Sequence, residues 1–156
     1  MLSGSISMVL SWAFLLETAV LAVWLGAIAV IDARTLRIPD GLSLPLVALG
    51  LVVSQDLAGH LIGAGAGFLL MAGFGAAHFR LRGVEGLGLG DAKLFGAAGA
   101  WLGWQALPWV LLIGALGGLV WALVTRRSGD LAFGPWLALG FFVCWLGQAL
   151  SGFQLT

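Results

Sequence analysis

The chain has 156 residues, 61% of them hydrophobic and 9% charged, with 7 basic and 7 acidic side chains that cancel and a mean hydropathy of +1.08. No soluble core of this size could hide so much apolar surface, so the composition predicts an all-α, polytopic membrane protein whose solvent is the lipid bilayer. Without a basic patch to release counterions a nucleic-acid partner is excluded, and the lone Cys144 excludes an intrachain disulfide and a multi-thiolate metal site.

Met1 to Leu10 contains no Lys or Arg. A secretory signal peptide needs a basic start, so the first apolar span is expected to be retained, with its N-terminus outside. Measured against a spanning length of about 20 residues, the apolar runs predict six transmembrane helices, near 8–31, 40–55, 57–79, 91–104, 106–125 and 131–150. No linker, tandem repeat or low-complexity stretch divides them, and residues 1–156 read as a single membrane-embedded domain. Small residues recur four apart at Gly63 and Gly67, Gly99 and Gly103, and Gly114 and Gly118. Such pairs let helix backbones approach closely in lipid.

Charge sets the expected orientation. Arg34 and Arg37 follow the first span, Arg80 and Arg82 the third, Lys93 opens the fourth, and Arg126 and Arg127 follow the fifth. All seven basic residues therefore fall on one face, which the positive-inside rule makes cytoplasmic. Both termini are then expected outside, with Asp32, Asp40, Glu85 and Asp91 near the cytoplasmic surface.

Carboxylates at membrane depth are costly and mark functional sites by default. Asp32 sits where the first span ends; as a structural residue it would pair with Arg34 or Arg37. Asp40 follows Pro39 and Asp130 precedes the last span, and both read as helix N-caps, with Pro39 ending the element before. Asp91 closes the run Gly86, Gly88, Gly90, and could cap the fourth helix or act in chemistry. Glu17 lies fifteen residues from Asp32, roughly 22 Å at helical rise, too far to share its site, and reads as an interhelical hydrogen-bond partner. His60 and His78 stand near opposite ends of the third span, cannot share a metal ion, and read as interfacial anchors. Cys144 reads as a small apolar core residue.

Two carboxylates held together cannot both ionise cheaply, so one keeps a proton and the pair can activate water against an amide carbonyl. No HExxH motif, phosphate loop or GxSxG elbow competes with that chemistry.

Three stretches resemble the bacterial type IV prepilin peptidases, membrane aspartic proteases of the GxGD class. Ile31-Asp32-Ala33-Arg34-Thr35-Leu36-Arg37-Ile38-Pro39-Asp40 is similar to the family's first aspartate motif. Gly88-Leu89-Gly90-Asp91-Ala92-Lys93-Leu94 is similar to its GxGDxKL motif, continued by Gly99-Ala100-Trp101-Leu102-Gly103-Trp104. Ala132-Phe133-Gly134-Pro135-Trp136-Leu137-Ala138-Leu139-Gly140 is similar to its FGPxLALG segment. The resemblance covers roughly residues 27 to 145.

The resemblance implies Asp32 and Asp91 as the catalytic pair and needs no metal or cofactor. It implies an inner-membrane endopeptidase that removes leader peptides from prepilins, or from the pseudopilins of type II secretion, at the cytoplasmic face. The substrate helix is expected to enter beside a mobile 80–90 loop, with Gly88 and Gly90 letting it move, Arg80, Arg82 and Glu85 setting its polar contacts, and Lys93 and Asp40 at its edge. Fuller family members carry an N-terminal region with two Cys-x-x-Cys pairs, associated with N-methylation of the product. This sequence has neither, so neither methyl transfer nor bound zinc is expected of it. Two rival readings stand beside the peptidase: a small proton-coupled transporter, which would need its acids near the midplane, and a non-catalytic factor that only binds pilin helices.

Overall fold

The computed structural model describes residues 12–83, 88–125 and 132–151. Among them every regular element is helical. The order is α1 Trp12–Thr35, α2 Asp40–Val53, α3 Leu57–Arg82, α4 Leu89–Leu102, a 3-10 turn at Trp104–Ala106, α5 Leu107–Thr125 and α6 Gly134–Ser151. These six helices fall on the six predicted spans, and the chain is an all-α, polytopic membrane protein.

The largest departure in a boundary lies at the end of α1. The helix continues to Thr35, which places Asp32 in its last turn and not beyond its end. Leu36 stops it: at φ 53° it adopts the left-handed conformation, and its N–H closes on the Asp32 carbonyl oxygen at 2.8 Å. Pro39, predicted to end that element, instead stands as the extended N-cap of α2.

Three segments are long and apolar enough to cross a bilayer: Phe14–Thr35, Leu57–Arg82 and Trp104–Thr125. Asp40–Val53 and Gly134–Leu150 are shorter apolar helices. The 14-residue α4 rises only about 21 Å, less than the hydrocarbon thickness of about 30 Å. It can be short because protein, not lipid, surrounds it. Every residue from Leu94 to Leu102 is buried, and α4 packs on α2, α3, α5 and α6.

Glycine makes that enclosure possible. A Cβ on Gly67 would stand 2.7 Å from the Phe95 carbonyl oxygen, and one on Gly96 would stand 3.1 Å from that of Ala64. Gly63 and Gly99 face each other directly, so a side chain on either would strike the other's backbone. On the other side of the bundle Gly114 lies against the backbone of Trp136 and Leu137, and Gly140 against the carbonyl of Val110. Of the predicted small residues, Gly63, Gly67, Gly99 and Gly114 are thus helix contacts and Gly118 is buried on α5. Gly103 ends α4 at φ 80°, so its role is a turn.

Indole and imidazole groups tie the helices together. Trp101 Nε1 donates to the Leu46 carbonyl at 2.8 Å, Trp24 Nε1 to that of Leu42 at 2.9 Å, and Trp145 Nε1 to Thr18 Oγ1 at 3.2 Å. The interhelical bond of that turn is therefore made by Thr18; Glu17 has no bond to a described residue. His60 is also more than an interfacial anchor, since its Nδ1 donates to the Ala100 carbonyl at 2.8 Å. His78 is exposed. Cys144 is partly buried and packs on the apolar core.

Candidate active site

The site is built at the end of the bundle where α1 finishes and α2, α4 and α6 begin. On α1 the core-facing positions are Leu21, Leu25 and Ile28, all buried, and the next on that stripe is Asp32. Helical register alone therefore turns this carboxylate inward, where it is only 5% exposed. Neither arginine partners it. Its Oδ2 accepts the backbone N–H of Gly134, the first residue of α6, at 3.0 Å. A backbone amide is a fixed donor, so the bond sets the orientation of the carboxylate as well as satisfying it.

Asp91 comes from the first turn of α4, and its backbone N–H donates to the carbonyl of Gly88, the N-cap residue, at 3.1 Å. No side-chain cap bond is formed at this helix start, so Asp91 is not the cap the sequence allowed. It lies close enough to Asp32 for the charge of one carboxylate to act on the other. The fold brings the two predicted acids to one place.

The remaining predicted site residues separate into two groups. Asp40 does not cap α2, since no side-chain cap bond is formed there. Its carboxylate instead meets Lys93 Nζ of α4 at 2.5 Å, the one ion pair among the described residues. Asp40 and Lys93 therefore tie α2 to α4 beside the acids. Gly88 is exposed, and a Cβ there would meet nothing closer than 3.8 Å. Gly90 is no loop hinge: it lies inside the first turn of α4, where a Cβ would stand 2.9 Å from Ile38 Cβ. Arg80 and Arg82 are exposed in the last turn of α3. Glu85 and Gly86, with Arg126, Arg127 and Asp130, lie outside the described residues.

An open cleft of about 730 Å³ borders this end, lined by Ile31, Thr35, Arg37, Ile38, Pro39 and Asp40. The Thr35 hydroxyl, 2.8 Å from the Ile31 carbonyl and 3.2 Å from that of Arg37, braces the link that forms its wall. No group of three or more potential metal ligands occurs among the described residues.

Gly134 and Ile38 were not singled out by sequence reasoning, although both lie in the stretches that carry the resemblance. A glycine at a helix start gives no chemical signal by itself, and the contact with Asp32 spans 102 residues of chain.

A multi-pass helical membrane protein with two acids gathered at one helix-end mouth is the class that fold and site define. The particular family follows from comparison. The family described as "Type IV leader peptidase family" matches residues 19–123, and the chain belongs to it. It is 46% identical over 132 residues to a prepilin leader peptidase/N-methyltransferase of Escherichia coli (strain K12), covering 74% of this chain and 56% of the relative. The same description applies to relatives in Pectobacterium carotovorum subsp. carotovorum (43% identical; 87% of this chain, 52% of the relative) and Aeromonas hydrophila (37%; 100% and 58%). The chain spans about half the length of these curated relatives. No solved structure matches it.

Proposed function

We propose that this chain is a membrane-embedded aspartic endopeptidase that removes leader peptides from type IV prepilins or type II secretion pseudopilins. The observation that carries the reading is the placement of Asp32 and Asp91 at one mouth, on turns that share Ile38 as a neighbour, with Asp32 held by the Gly134 amide. Two like charges so placed favour sharing a single proton. The ionised carboxylate takes a proton from a water molecule as its oxygen attacks the scissile carbonyl carbon, and the protonated partner donates to the carbonyl oxygen. Collapse of the tetrahedral species breaks the C–N bond, and a proton passes to the leaving amine. The products are a leader with a new carboxylate and a mature subunit with a new N-terminus.

Placement supports a substrate that approaches along the membrane. The acids sit at helix ends, beside an open cleft that includes Thr35, Arg37 and Asp40, where the polar segment preceding an apolar helix would lie. A transporter would need them nearer the midplane. In the bacterial inner membrane the positive-inside rule turns this mouth to the cytoplasm, with both termini outside.

The test is cleavage itself. The full chain in proteoliposomes, given a purified prepilin, should release a leader whose cut site, read by mass spectrometry, lies just before the apolar helix. An uncut prepilin, with chain shown to be folded and inserted, would contradict the proposal. Cysteines placed at Asp56 should react with an impermeant thiol reagent from outside intact cells, and one at Arg82 should not. Labelling at Arg82 would overturn the orientation.

A further inference from the structure

The chain from Ala33 to Gly41, which includes the link between α1 and α2, is exposed with a single exception, Ile38, which is 7% exposed. An isolated buried aliphatic residue in an exposed link fills a defined space. Two glycines approach it. One is Gly90, which directly precedes Asp91; a Cβ there would stand 2.9 Å from Ile38 Cβ and 3.3 Å from its backbone N. The other is Gly134, whose amide holds Asp32; a Cβ there would stand 3.1 Å from Ile38 Cδ1. The Ile38 side chain thus reaches both the turn that carries Asp91 and the turn that orients Asp32.

We infer that Ile38 is a positioning residue of the reaction: a spacer wedged between Gly90 and Gly134 that fixes the separation of the two carboxylates. The inference rests on the paired-carboxylate reading above. A β-branched side chain suits this role because its χ1 is stiff and its bulk begins at Cβ, where Gly90 approaches. The left-handed Leu36 turns the link back so that Ile38 can enter the gap. The two glycines are the complement of the spacer, since any side chain on them would compete for the same volume.

The test is a series at this one position, assayed on the full chain in proteoliposomes and normalised to folded enzyme. Ile38→Ala removes the spacer; kcat should fall about tenfold or more while KM stays within about twofold, the pattern of misplaced reacting groups with intact substrate binding. Ile38→Val keeps the Cβ branch against Gly90 but loses Cδ1, the atom that reaches Gly134, so its rate should fall between those of the parent and the alanine variant. Ile38→Leu conserves volume but moves the branch away from Gly90; it provides a foldable test should the alanine variant be lost, and its kcat should also fall. Parental kcat in either the alanine or the leucine variant, or a change confined to KM, overturns the spacer. Asp32→Asn and Asp91→Asn run alongside. Cleavage surviving in either would sink the paired reading itself, whereas their inactivity beside an unaffected Ile38 series would sink the spacer alone.

Discussion

The α3–α4 seam and the acid mouth both depend on glycine, for opposite reasons. At the seam, Gly63, Gly67, Gly96 and Gly99 let two helices touch backbone to backbone over several turns. At the mouth, Gly90 and Gly134 make room for side chains of another segment, Ile38 and the Asp32 carboxylate. The seam is backbone packing, with one side-chain bond across it from His60 to the Ala100 carbonyl, and it determines how closely the two helices pack. The mouth is assembled from helix ends and links, each contributing one or two groups, and determines where the acids stand. Glycine substitutions should therefore separate folding from chemistry according to which region they strike.

The largest effect is expected at the seam. Gly99→Val would drive a branched side chain into the Gly63 backbone, where nothing flexible can yield, and should leave little folded protein after solubilisation. Ordinary recovery of monodisperse material would show that the helices can separate. Gly134→Ala should do the reverse, folding but cleaving at least about tenfold more slowly, because its Cβ would meet Asp32 Oδ2 at 2.6 Å and displace the carboxylate. Unchanged turnover would mean that the orientation of Asp32 is not set there. Within the mouth, Gly90→Ala should lower activity clearly more than Gly88→Ala, which points into open space. Equal effects would restore the mobile-loop reading of both residues.

The smallest effect belongs to the Asp40–Lys93 pair. With Asp40 61% exposed, the pair is solvent-screened and contributes about 0–1 kcal/mol. Asp40→Asn should therefore cost little stability and only a few-fold in rate. A loss as large as that of an acid-pair variant would move Asp40 into the chemistry.

The fold was largely legible in the sequence because apolar length is a strong signal in a membrane protein: all six spans were found, mostly within a few residues. The end of α1 was misplaced because a left-handed Leu36 breaks a helix without the usual Gly or Pro. Asp32 and Asp91 were legible from the cost of burying charge and from their flanking patterns. Asp40 was assigned a cap because that is local chemistry, while its ion pair with Lys93 spans 53 residues and depends on tertiary packing. Gly134 and Ile38 act through shape and a backbone amide, which side-chain chemistry does not advertise. The stripe Leu21, Leu25, Ile28, Asp32 could have shown in advance that the first acid faces inward.

The most direct test of the account is prepilin processing by Asp32→Asn, Asp91→Asn and the double variant, each purified as folded, inserted protein. If the two carboxylates act as one proton-sharing pair, each single variant abolishes cleavage and the double variant is no worse than either, the non-additivity of groups that work as a unit. Robust cleavage by either single variant would contradict the account and leave Asp91 as a first-turn acid of α4 and Asp32 as a buried structural acid.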